Sequence, residues 1–513
     1  MVSRAGFSGI AVKMEPMRPV ASGLRNRSWC LALIGAAFVL SRVFYTSLGV
    51  TFDSLPRLFY WQIIDPVLLR EDPWQSLFYL RNQPPALNAF IAVVTHLFPD
   101  HPARAFPSIY TGMGFALTVC LFLLLNRLGV KRWLAVVITV VCTISPVTVL
   151  YENWLFYEYP IILLFCAAAL FLHRYATNCR RRDGLVFFAC LAFLGLFRVI
   201  YHWLWFLSIA SLLCYAMPRW RRRTLLCAAG PGMLLLAFYA KSLLLFGVWT
   251  PGNDVYGSIA FATMARGDLT RYQLARLANK GLISRLFVYT LDDVDKVTPL
   301  VPPPLPTGIP ILDNRVKSTG VASLDSLWMV EVCKQLRRDG VSLLRYRPAA
   351  LLTTIRDNLG RYFLPADIGW PFDGRPDTNA LVLAPVLARY DLATTGTIPG
   401  HQFAWLSYIT TPLLLWFGLV RSVRWLRGAI RHQARNAQEL TIFFAFGNIA
   451  YVSAVVILHD FTDQNRIMFE VFPLFAVLLG CSIASVIHAP VPIGRRIRGA
   501  LRRDRPQGAE FAS

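Results

Sequence analysis

Asp53 follows directly on the first long apolar run, in VTFDSLPRLFYWQ, with Phe52, Phe59, Tyr60 and Trp61 around it. A carboxylate placed just above a membrane and ringed by aromatics suits a general base taking the proton of an acceptor hydroxyl. DSLP reads equally as a helix start capped by Asp53. Glu152 and Glu158 flank NWLFY in a short turn between apolar runs. Such a pair could hold a divalent cation, Mg or Mn, or position a substrate; it could also merely cap and solubilise the turn. Arg198 and His202 stand together in FRVIYHW. An arginine there calls for a phosphate or carboxylate partner, unless it snorkels to water. We group His202 with it as a positioning residue. HDFTDQNR brings His459, Asp460, Asp463 and Arg466 into one turn. Arg466 is expected to anchor a lipid phosphate and to pair with Glu470 one helical turn on, and Asp463 to position substrate or metal. Asp65, Glu71 and Asp72, in DP and EDP, read as caps and turns.

The elements that must position these residues are membrane helices. Of 513 residues 55% are hydrophobic and 16% charged, with mean hydropathy +0.47; a soluble protein carries roughly a quarter charged residues. Apolar runs near the ~20 residues of a bilayer-spanning helix recur throughout. The expected fold is all-α: a polytopic transmembrane helical bundle of about ten spans with both termini cytoplasmic, because the arginine-rich short loops then all fall inside. The spans are 29–49, 107–126, 133–149, 159–173, 184–197, 203–217, 224–247, 402–420, 440–458 and 467–488. Residues 1–28 and 489–513 form basic cytoplasmic tails, the first leading into a retained membrane helix. Residues 50–106 form an outer juxtamembrane platform in which PPALNAFIAVVTHLFPD lies on the surface; as a span it would put NRLGVKRW and NCRRRDG outside, against the charge rule. Residues 248–400 form a mostly helical extracytoplasmic insertion, with TPLVPPPLPTGIP as a stiff hinge between its halves. Residues 401–488 complete the bundle.

The net charge of +23 sits in loops between apolar runs, which excludes nucleic acid and points to anionic lipid headgroups as partners. The ten cysteines lie mostly in or beside spans, without a disulfide framework or CxxC pattern. No phosphate loop, GxSxG, HExxH or dinucleotide fingerprint is present, so any chemistry draws on a preactivated donor delivered within the membrane.

Taken together, these features resemble the GT-C glycosyltransferases, the polytopic enzymes that use polyprenyl-phosphate-linked sugars, including protein O-mannosyltransferases and aminoarabinose transferases. The likeness rests on Asp53 after the first span, and on Gln83, Pro84 and Pro85 where the family often has HPP. It rests also on LLLNRLGVKRWLAVVITVVCTISPVTVLYENWLFYE, with Glu where many members have Asp, and on NRIMFEVFPLFAVLL. It covers most of 29–250 and 440–488. It implies transfer of a sugar from a polyprenyl-phosphate donor to a hydroxyl of a glycan, lipid or protein acceptor, with inversion, on the outer face of a plasma (bacterial inner) membrane. Asp53 would be the base, Arg198 or Arg466 would stabilise the leaving phosphate, and a divalent cation near Glu152 would assist. A transporter or flippase of a lipid-linked saccharide is the rival, but should carry charges near the bilayer midplane. A polysaccharide polymerase or ligase, lacking the acid-rich platform, ranks third.

Overall fold

The computed structural model describes residues 20–249, 255–289, 294–368, 372, 379–398, 403–430, 436–459 and 464–487. The N-terminal half contains α1 (Val20–Ser47), α2 (Ala86–Leu97), α3 (Pro102–Arg127), α4 (Arg132–Thr143), α5 (Pro146–Glu152), α6 (Glu158–Asn178), α7 (Arg181–Phe197), α8 (Trp203–Ala216) and α9 (Arg221–Phe246). The insertion contributes α10 (Tyr256–Arg266), α11 (Leu327–Tyr346), α12 (Ala349–Tyr362) and α13 (Asn379–Thr394). The chain then continues through α14 (Trp405–Ile430), α15 (Ala437–His459), α16 (Gln464–Phe469) and α17 (Phe472–Ile487). No β-strand occurs among the described residues, and the protein is a polytopic helical membrane protein.

Six helices, α1, α3, α6, α9, α14 and α15, are each long and apolar enough to cross a bilayer, and α4 with α5 makes a seventh, broken span bent by 55°. The predicted spans at 184–197, 203–217 and 467–488 are helical, as α7, α8 and α17, but have only 17, 14 and 16 residues. Each falls short of the ~20 residues a straight crossing needs. The platform segment expected to lie on the surface is a helix, α2, of 12 residues.

The broken span has a local cause. Pro146 lacks the N–H that would continue α4, so the ladder stops and α5 restarts with Pro at its first position. Ser145 caps the new start, its Oγ accepting from Thr148 N at 3.1 Å. Helix α1 answers the freed carbonyls: Arg42 Nη1 donates to Thr143 O (3.0 Å) and Tyr45 OH to Ile144 O (3.0 Å). Helix α6 lies at the centre, packed against α3, α7, α15 and α17.

Before α2 the platform has three short helices, Pro56–Phe59, Pro66–Glu71 and Pro73–Tyr79, each opened by proline. Asp65 and Asp72 cap the second and third by accepting from Val67 N and Gln75 N, as DP and EDP predict. The insertion is latched to this platform. Lys317 Nζ donates to Tyr60 O (2.8 Å) and Ile63 O (2.5 Å), Asp65 also accepts from Ser318, and Asp325 accepts from the N–H groups of Arg81 and Asn82. Burial pushes the Lys317 ammonium down to about 8. The proline-rich segment does not separate two halves: Leu277 and Phe287 before it share one core with Trp328 and Val332 after it. Residues beyond this core return to the bundle, α12 onto α15 and α16, α13 onto α5.

Candidate active site

The site is organised by the loop 153–157 between α5 and α6. On one side it pairs with Asp53 through a parallel bridge, Asp53 N donating to Asn153 O (2.8 Å) and Leu155 N to Asp53 O (2.9 Å). Asp53 is half-buried, and its Oδ1 accepts from Leu55 N at 2.8 Å. It therefore caps the turn into the platform while standing beside Trp154. An aromatic wall follows: Tyr60 packs edge-on to Trp154 and Phe156, and Tyr110 OH donates to Phe156 O at 2.6 Å.

At the other end of the loop lies a neutral cluster of four charges. Arg466 Nη1 donates to Glu158 Oε1 at 2.5 Å, and Arg466 is only 1% exposed. Arg198 is paired with Glu470 and stands 3.8 Å from Glu158, its side chain 12% exposed. Tyr201 OH donates to the second oxygen of Glu470 at 2.5 Å. Both guanidinium groups lie over the Tyr157 ring. The expected Arg466–Glu470 pair is thus corrected. Glu470 falls in the turn between α16 and α17, where helical spacing no longer brings residues four apart onto one face, so each arginine takes a carboxylate from elsewhere in the chain. The expectation that Arg198 needs an anionic partner resolves to a carboxylate.

Glu152 belongs to a different cluster, one the sequence reading missed. Arg42 grips both of its oxygens, Nε to Oε1 at 2.9 Å and Nη2 to Oε2 at 2.5 Å, and Tyr159 OH donates to Oε2 at 2.5 Å. The signal was present: Arg42 stands inside the first apolar span, where a charge persists only with a partner. With Glu152 held by Arg42 and Glu158 by Arg466 and Arg198, this donor set does not fit a divalent cation. Among the described residues no group of three or more metal-capable side chains gathers. His202 caps α8, its Nδ1 accepting from Leu204 N at 3.1 Å. Burial lowers its pKa, which keeps the ring neutral for that role. Asp463 lies outside the described residues.

Two further features frame the site. A groove of about 350 Å³, almost wholly apolar, runs between α8 and α15, lined by Trp205, Leu212, Phe443, Gly447 and Tyr451 among others. Its wall residue Trp205 packs on Tyr201 at 5.3 Å, one side chain from the four-charge cluster. The segment 363–368 crosses beside the site: Tyr151 OH donates to Ala366 O, and Asn465 Nδ2 to Pro365 O and Ile368 O. Helix α13 is tied to Thr51 through Asn379, whose Nδ2 donates to Thr51 O at 2.6 Å.

The chain matches no family model and no curated protein. Among solved structures it is similar to the Archaeoglobus fulgidus oligosaccharyltransferase tethered with an acceptor peptide containing the NVT sequon. The identity is 13% and the TM-score 0.31, over 91% of this chain and 51% of that one. The chain spans about half the length of that enzyme, and a likeness this distant carries no argument about what the chain does.

Proposed function

We propose that this protein transfers a sugar from a polyprenyl-phosphate-linked donor to an acceptor hydroxyl, at the membrane face that carries the insertion. The observation that carries the reading is the loop 153–157. It mounts a half-buried carboxylate, Asp53, at one end and the Arg198–Glu158–Arg466–Glu470 cluster at the other. From Leu155, bonded to Asp53, to Glu158 is three residues, at most about 11 Å of chain. A carboxylate at one end of a short loop and two carboxylate-paired arginines at the other support group transfer from a phosphate.

In this mechanism Asp53 takes the proton of the acceptor hydroxyl as its oxygen attacks the anomeric carbon. The bond from that carbon to the phosphate oxygen breaks, the lipid phosphate leaves with the electron pair, and configuration inverts. Arg198, the more open of the two arginines, meets the developing phosphate charge. Arg466, sealed against Glu158, positions it. The groove beside Trp205 and Tyr451 takes the lipid chain, and the aromatic wall from Tyr60 to Phe156 takes the sugar. Glycan, lipid and protein acceptors all supply the required hydroxyl.

The test is purified protein in liposomes, given a panel of polyprenyl-phosphate sugars and hydroxyl acceptors, with glycosylated product and donor sidedness both measured. Product formation from one donor is the expected result. Donor crossing the bilayer without product would replace this reading with the flippase.

A further inference from the structure

Helix α12 leaves the insertion core and packs along α15 and α16. The contacts on its inner face fix its depth. Asn358 Nδ2 donates to Ile457 O at 3.1 Å, and Tyr362 OH shares a hydrogen bond with Ser453 Oγ at 2.9 Å. The apolar span of α15 ends at Leu458, one residue past Ile457 and five past Ser453, or about 1.5 and 7.5 Å along the axis. Asn358 therefore sits where hydrocarbon gives way to headgroups, with the last turn of α12 just below that level, at the end of the span opposite the arginine-rich loop that follows α14.

The outer face of α12 is exposed among the described residues. Leu352 (70% exposed), Arg356 and Leu359 (45% exposed) follow at i, i+4 and i+7 and form one stripe; Arg361, also exposed, stands in the last turn about half-way round the helix from it. The stripe continues into an aromatic band. Phe363 stacks on Tyr408 of α14 at 4.2 Å, Phe403 stacks on the same ring at 5.0 Å, and Trp405 is half-exposed. From there α14 presents Ile409, Leu413 and Trp416 outward, the lipid-facing side of a spanning helix. Arg345, at the end of α11 leading into α12, adds a third exposed arginine, and Arg356 is paired with the exposed Asp357 at 3.0 Å.

We propose that the Leu352–Arg356–Leu359 face of α12 docks into the headgroup layer and binds anionic phospholipid. Depth and continuity with the lipid-facing side of α14 select a membrane over a protein partner. Leucines at this level bury in the acyl boundary and arginines reach the phosphates, the arrangement of an interfacial amphipathic helix. The arginines, outnumbering the one aspartate, select acidic headgroups. Because α12 runs directly into the segment held by Tyr151 and Asn465, this contact anchors the strap beside the site to the bilayer. The inference is independent of the proposed transfer reaction.

Hydrogen exchange of the full chain tests it, in nanodiscs of phosphatidylcholine alone and of phosphatidylcholine with phosphatidylglycerol. Amides of 349–362 should exchange at least about tenfold more slowly in the anionic discs, given two or three arginines near the surface. Raising the salt to about 1 M should remove the difference, and so should Arg356→Gln with Arg361→Gln, while peptides of α6 remain unchanged in every case. Should the double variant fail to fold, the salt series on the unaltered chain decides alone. Equal exchange in both discs overturns the proposal. Protection that depends on two copies per disc and not on the lipid also overturns it, assigning the face to a second copy of the chain.

Discussion

Alanine at Gly114 tests the Arg42–Glu152–Tyr159 cluster with a single methyl group. Gly114 is buried on α3, and a Cβ there would stand 2.7 Å from Tyr159 OH and closer still to Glu152 Oε2. Neither atom is a loose end, since both are bonded into the cluster that neutralises Arg42. Overpacking a tight site costs about 1–3 kcal/mol, and parting a buried ion pair costs about 3–5 kcal/mol. Partial relaxation of α3 leaves an expected loss of about 2–4 kcal/mol, between those limits. Gly112→Ala is the control on the same helix. An added Cβ meets nothing within 4 Å there, so its effect should stay within the up to about 1 kcal/mol that favours Ala over Gly in helices. Thermal unfolding in matched detergent reads both. A Gly114→Ala protein as stable as Gly112→Ala would refute the cluster as a structural lock.

Other expectations follow from the same geometry. Glu470→Gln should cost about 3–5 kcal/mol by leaving Arg198 without its paired charge. The double change with Arg198→Gln should recover at least about 1 kcal/mol of that, read by a thermal double-mutant cycle; strict additivity would deny the pairing. Gly447→Leu, where an added Cβ meets nothing within 4 Å, should fill the groove and raise the donor KM about tenfold with kcat little changed. An unchanged KM would remove the groove from donor binding. Asp391, on α13, is pushed up to about 8 by burial and by Asp367. A carboxyl raised in the fold contributes stability that is fully present below its unfolded value near 4 and is lost as pH rises through about 8. The melting temperature should therefore fall between about pH 5 and 8.5, and Asp391→Asn should flatten that decline; an equal slope in the variant would contradict it.

Much of this arrangement was legible from residue order. Apolar run length located the six helices long enough to span, and DP and EDP identify Asp65 and Asp72 as caps, whereas the break at Ser145–Pro146 falls inside what reads as one continuous span, 133–149. The pairing of charges was not legible, because it depends on which helix ends meet. Glu158, Arg198 and Arg466 are distant in sequence and converge only through the packing of α6, α7 and α16. The i, i+4 rule misled at Glu470, since it assumes a helix that the turn at 470–471 interrupts. The proline-rich segment suggested a boundary, yet hydrophobic contacts across it form one core. Lys317 gave no signal, because its partners are backbone carbonyls, which no side-chain pattern reveals.

The most direct test of the proposed chemistry is single-turnover sugar transfer by Asp53→Asn, with donor binding measured in parallel. The amide keeps an acceptor for Leu55 N, so the turn and the bridge to Trp154 should hold and donor affinity should remain. Transfer should fall by about 100-fold or more, the usual contribution of a general base. Transfer at the unaltered rate, with donor still bound, would contradict the role of Asp53.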